Sequence, residues 1–225
     1  MARDRYVDPV TLEGRHVRLE PMTHERAGEI AAALANAAAD GALWESKVTT
    51  IPRPEGMRAY VDQALAELDA GVSMPFVTVD RPSGKVVGTT RYMNIEAPHR
   101  RLEIGTTWLA QSAQRTALNT EAKYLMLRHA FETLGCIAVD LRTHEKNLQS
   151  RAAIERLGAK LDGVLRHHRI MPDGSVRNTA SYSIVDAEWP AVKARLEQAM
   201  AGGAPRASTA ELRTGGLSIS EVVAC

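Results

Sequence analysis

The stretch Trp108-Leu109-Ala110-Gln111-Ser112-Ala113-Gln114-Arg115-Thr116-Ala117-Leu118-Asn119-Thr120-Glu121-Ala122 has the residue types that hold a phosphate. A loop that feeds a helix N-terminus offers unpaired backbone N–H groups and the positive end of the helix dipole. Those two features together bind pyrophosphate. Arg115 adds charge, and the small side chains around it let a ligand reach the backbone. The same residues also make an ordinary helix start, with Thr116 as its cap. A second stretch runs from Asn147 to Gly158 as Asn-Leu-Gln-Ser-Arg-Ala-Ala-Ile-Glu-Arg-Leu-Gly. Asn147 suits an N-cap, and Ser150 is tolerated in a first turn. The alternative is that both polar side chains face a cofactor lying between this helix and the preceding one. His144, His167 and His168 raise the question of a metal. Their spacing fits no standard zinc pattern and no carboxylate or cysteine cluster joins them, so no metal site is expected.

The elements that must carry these residues follow from periodicity. Val17 and Leu19 alternate with charged neighbours in a strand over His16–Glu20, ended by Pro21. An Ala-rich helix is expected from Thr23 or His24 to about Asn36. A second helix fits Glu55–Ala70, with Gly71 as its stop. Phe76–Val79 and Val86–Tyr92 flank the turn Pro82–Lys85 as a hairpin, and a third strand is expected over Arg101–Leu109. The middle of the chain therefore reads as an antiparallel meander. A long helix beginning near Leu118 and closing at Gly135 comes next. It is followed by a strand over Ile137–Leu141 and a helix over Leu148–Leu157 closed by Gly158. Strand, helix, strand, helix in that order implies a parallel pairing through a crossover. Strands near Gly163–Met171 and Arg177–Val185 and a helix over Trp189–Met200 complete the set. From Gly202 the composition turns linker-like, and residues 202–225 are expected to form a flexible tail, with a docked segment as the alternative.

Composition narrows the classes of function. The chain has 225 residues and a formal net charge of +1 from 28 basic and 27 acidic side chains. That balance argues against a dedicated nucleic-acid binder. Cys136 and Cys225 alone make neither a disulfide framework nor a metal quartet, and the expected setting is reducing and cytoplasmic. No run of about 18 uncharged apolar residues occurs, so neither a membrane span nor a membrane partner is expected.

Taken together, the two phosphate- and cofactor-like stretches resemble the GNAT N-acetyltransferases, in particular the RimJ/RimL-type branch. The resemblance rests on Asn119-Thr120-Glu121-Ala122-Lys123, on Asn147 to Gly158, and on Glu103-Ile104-Gly105 followed by Trp108-Leu109. Gly163-Val164-Leu165-Arg166, Asp173-Gly174 and Arg177 add to it. It spans residues 10–200, so residues 1–201 are expected to form the catalytic domain. One departure stands out. The family's loop is commonly Gln/Arg-x-x-Gly-x-Gly/Ala, whereas Gln114-Arg115-Thr116-Ala117-Leu118-Asn119 has no glycine. A helical start needs no positive φ, so the N–H groups remain. Backbone approach is tighter, and cofactor affinity is the property this bears on.

The resemblance implies an α/β GNAT fold. Its central sheet is mixed, mostly antiparallel and flanked by helices, and it splays between the fourth and fifth strands, here about 101–110 and 137–143. It implies acetyl-CoA as co-substrate and an amine acceptor. Leu109 would offer its backbone N–H to the thioester carbonyl. Gln114, Arg115, Thr116, Ala117, Leu118, Asn119 and Thr120 would hold the pyrophosphate, and Asn147 and Arg151 would also hold the cofactor. Glu103 would take the amine proton, directly or through water; otherwise it is a solvated carboxylate or a partner for Arg101. Ser150 would protonate the departing thiolate or relay a proton to it. Trp44 and Tyr92 could line the acceptor pocket or pack in the core. Acceptor specificity is expected in residues 24–70 and 93–100. A protein N-terminus and a small amine, including an amine-bearing antibiotic, both remain open as acceptors. A catalytically silent acyl-CoA-binding module is the alternative from another class. A homodimer is a family-level expectation.

Overall fold

The computed structural model describes residues 5–37, 53–114, 116–171 and 173–201. Eight strands form one sheet: β1 (Leu12–Glu13), β2 (Val17–Pro21), β3 (Met74–Asp80), β4 (Val86–Glu96), β5 (Arg101–Leu109), β6 (Ala138–His144), β7 (Lys160–Ile170) and β8 (Val176–Val185). Their order is β1-β2-β3-β4-β5-β6-β8-β7. Every neighbouring pair is antiparallel except β5 and β6, which run parallel. The parallel pair is joined by the long helix of the crossover, as the strand–helix–strand order requires. Because the short β1 precedes the first strand read from the sequence, the parting strands are the fifth and sixth rather than the fourth and fifth. β1 holds one alternating pair of residues, too few to show a period.

Helices cover both faces. On one face α1 (Ala27–Ala37) and α2 (Met57–Asp69) bury Ile30, Leu34, Met57 and Val61 against Val77, Val79, Val86 and Trp108. On the other, α3 (Ala117–Arg128), α4 (Leu148–Leu157) and α5 (Trp189–Ala201) pack on Tyr92, Leu102, Ile104, Leu141 and Tyr182. Tyr92 is therefore a core residue; its hydroxyl donates to the Met126 carbonyl at 2.7 Å. Trp44 and residues 202–225 lie outside the described residues.

Local sequence explains the ends of these elements. Thr116 caps α3, accepting the Leu118 N–H at 3.3 Å, and Asn147 caps α4, accepting the Ser150 N–H at 3.0 Å. Gly158 ends α4 at φ 102°, the left-handed conformation glycine adopts freely. The α3 crossover ends in a five-residue π turn, His129–Thr133. Among the described residues no helix is long and apolar enough to cross a membrane.

Candidate active site

The parallel pairing of β5 and β6 is brief. Arg101 faces Ala138, Leu102 faces Val139 and Glu103 faces Asp140, and there it stops. Beyond that point β5 stays with β4 as far as Leu109 opposite Gly88, while β6 stays with β8 as far as His144 opposite Thr179. The two strands are thus held by different neighbours and part into a V whose apex is Glu103 and Asp140. Within the parting strand Thr106 has φ 50°, where the β4–β5 register shifts. A β-branched residue in the left-handed region is strained, and such strain clusters at functional sites. At the far end a Cβ on Gly88 would collide with the Trp108 carbonyl oxygen, so glycine lets β4 and β5 approach closely beside Leu109.

Glu103 is buried at the apex and is 5% exposed. The Asn94 amide donates to its Oε2 at 2.7 Å, and an Arg142 NH1 lies 3.2 Å from the same oxygen. Burial pushes its carboxyl above the ordinary glutamate value, with Arg142 and then the Asn94 hydrogen bond pulling the other way. A carboxylate displaced upward by desolvation has the character of a general base. Arg101, offered by the sequence as a partner for Glu103, shares a face of β5 with it but reaches across to Asp140 on β6 at 2.6 Å, while Arg142 of β6 takes the Glu103 carboxylate. Asn94 and Arg142 had no sequence signal: they come from β4 and β6 and meet Glu103 only through strand register.

The first turn of α3 opens on a cavity of about 390 Å³. Ala113, Thr116, Ala117 and Leu118 line it, joined by His16 from β2's approach and by Lys85 from the β3–β4 turn. The sequence reading missed His16 and Lys85, which lie far from the loop along the chain. Gln114 is used to close the loop, its amide donating to the Leu109 carbonyl at 2.9 Å. Asn119 Oδ1, in the same turn of α3, is buried without a hydrogen-bond partner. The helix start, its small side chains and Lys85 suit an anionic ligand such as a pyrophosphate, while the Asp80 carboxylate, which also lines the cavity, opposes one on that side. Thr120 follows on the same helix, half-buried, and Arg115 lies outside the described residues.

On α4, Ser150 is fully buried. Asn147 uses its Oδ1 as the helix cap. Arg151 donates to the Tyr182 hydroxyl at 2.8 Å and to the Glu145 carbonyl at 3.2 Å, which fixes its position on the flank of β8. His168 lies 3.0 Å from the Thr179 hydroxyl, and His144 Nδ1 accepts the Lys146 N–H at 3.0 Å. Among the described residues no three His, Cys, Asp or Glu side chains come together as a metal site.

Comparison with known proteins follows the same lines. A family model described as an acetyltransferase (GNAT) domain matches residues 16–160. A GCN5-related N-acetyltransferase from Brucella melitensis is 30% identical and superposes with a TM-score of 0.78, covering 87% of each chain. RimJ of Mycobacterium smegmatis, solved with CoA-disulfide, is 22% identical, with a TM-score of 0.71 over 85% of this chain and 95% of that one. The microcin self-immunity acetyltransferase MccE, solved with acetyl-CoA and AMP, is 16% identical, with a TM-score of 0.65 over 76% of this chain and 93% of that one. These last two likenesses concern the fold. A search of curated proteins found no match.

Proposed function

Because the chain belongs to the acetyltransferase (GNAT) family, we propose that it moves the acetyl group of acetyl-CoA to a primary amine, in the manner of the RimJ/RimL-type branch. The observation that carries this reading is the V between β5 and β6 with the buried Glu103 at its apex.

Acetyl-CoA brings an activated thioester. The loop and first turn of α3, from Gln114 to Thr120, would hold its pyrophosphate by backbone N–H groups, with Arg115 and Lys85 supplying charge and His16 beside them. Asn147 and Arg151 would steady the arm of the cofactor from α4. The amine nitrogen attacks the thioester carbonyl, forming the C–N bond. The Leu109 N–H stabilises the oxyanion as the C–S bond breaks. Glu103 accepts the proton that the amine must lose. Ser150 hydrogen-bonds to the departing thiolate or relays a proton to it, a hydroxyl being a weak acid. RimJ solved with CoA-disulfide and MccE solved with acetyl-CoA support the choice of cofactor. The acceptor is a protein N-terminus or a small amine.

A thiol-release assay over a panel of peptide N-termini and small amines, run beside calorimetric titration of acetyl-CoA, tests this reading. Turnover with at least one amine is expected. Binding of acetyl-CoA with no turnover anywhere in the panel would favour a silent acyl-CoA-binding module.

A further inference from the structure

Arginines gather beside Glu103 in excess of the acids that could neutralise them. Glu103 and Asp140 are both engaged by Arg142, at 3.2 Å each, and Asp140 also by Arg101. Two more arginines stand across the β7–β8 hairpin, where Arg169 and Arg177 are register partners. Among the described residues neither has a carboxylate within ion-pair distance. Arg177 is half-buried, and its Nε donates to the Thr179 hydroxyl at 3.1 Å.

One row of contacts connects this pair to the apex of the V. Arg142 reaches from Glu103 to the Ser181 hydroxyl at 3.4 Å. Ser181 and Thr179, two residues apart on β8, share a face. Thr179 meets both Arg177 and His168. The opposite face of β8 is apolar core, with Ala180, Tyr182 and Ile184. Both Arg169 and Arg177 also act electrostatically on Glu103 or are acted on by it. Burial, and then the neighbouring Arg169, make the charged form of Arg177 costly, yet a guanidinium does not give up its proton in a protein. Arg169 is exposed and Arg177 partly buried, so holding the two cations side by side carries a cost that a bound anion would relieve.

We infer that Arg177, with Arg169 beside it, binds an oxyanion carried by the acceptor itself, so that the substrates are small amines bearing a carboxylate or a phosphate. The planar guanidinium fork matches either group. Arg177 would anchor that end while the amine points at Glu103. The inference rests on the acetyl-transfer reading for the identity of the ligand, but not for the existence of the anion site.

Matched pairs of amines test it in the presence of CoA, by calorimetry and, with acetyl-CoA, by thiol release. One pair is an α-amino acid and its amide; the other is phosphoethanolamine and ethanolamine. The parent protein is expected to bind the anionic member of at least one pair about tenfold or more tightly, and the pair that shows it tells carboxylate from phosphate. Arg177→Gln should bring that ratio close to one, and Arg177→Lys should restore part of it. Thermal unfolding of both variants checks that they fold. Binding that prefers the anion without any acetyl transfer would sink the catalytic reading and leave the anion site standing. Turnover of neutral and anionic members alike, or an anion preference that survives Arg177→Gln, would overturn the inference while acetyl transfer stood. Absence of binding by all four amines would overturn it too.

Discussion

Glu103 combines two opposing influences in one carboxyl group. Burial raises its pKa, while Arg142 and Asn94 hold its ionised form in place. As the proposed base it must be ionised to act, so its contribution is expected to be lost as pH falls through the raised value. Glu103→Gln should lower turnover by about 10²-fold or more at neutral pH, the scale of general-base catalysis. The defect should shrink at high pH, where the acceptor amine is already neutral. Ser150→Ala removes the group proposed on the leaving side, and raising pH should not rescue it. If Glu103 only completes an ion pair, a pH–rate profile of Glu103→Gln will overlay that of the parent. Acetyl-CoA affinity should change little in either variant.

At the scale of elements, α3 does two jobs. Its first turn faces the cavity, and one turn later Glu121 turns back to the start of the chain. The Glu121 carboxylate accepts N–H groups from Arg15, His16 and Val17, at 2.7, 2.6 and 2.9 Å. A Cβ on Gly14 would run into that carboxylate, so glycine keeps the loop close. His16 lines the cavity, so the tether that holds β2 to α3 also shapes the cavity proposed to take the cofactor. Glu121→Ala strands three donors and should cost about 3 kcal/mol, which for a domain of this size lowers Tm by about 6–12 °C. Acetyl-CoA affinity should fall with it. Unchanged Tm would show that water satisfies those N–H groups. Arg115→Glu should act in the opposite proportion. It places a negative charge where the pyrophosphate is proposed to bind, and should weaken acetyl-CoA binding about tenfold or more with little change in Tm. Unchanged affinity by titration would move the pyrophosphate elsewhere.

Over the whole molecule, one sheet covered on both faces makes a complete core. The last described helix, α5, closes it with Trp189, Val192 and Leu196. The Trp189 indole and the Lys193 ammonium both donate to Glu132 just after α3, at 2.9 and 2.7 Å. Residues 202–225 follow this closure with a linker-like composition. We propose that they form a flexible tail beyond a catalytic domain of residues 1–201. Deleting 203–225 should leave Tm and acetyl-CoA affinity within error of the parent. A fall of several degrees on truncation would mean that the segment docks on the domain.

The features legible along the chain are those that depend on neighbours a few residues away. Thr116 and Asn147 cap their helices and Gly158 ends one, because a cap needs only its own first or last turn. Arg101–Leu109 forms the strand expected there, and the strand–helix–strand order around α3 dictated a parallel pair. What meets at the apex of the V was set by the pairing of strands distant along the chain. Asn94, Glu103 and Arg142 lie on three strands, and their meeting depends on register, which the bend at Thr106 shifts within β5. The same holds for Arg101, which reaches across to Asp140 rather than along its own strand, and for His16 and Lys85, carried to the α3 cavity by β-sheet order. Periodicity along a chain records which face a side chain takes; it holds no record of which strand will lie beside it, and a one-residue slip changes every partner.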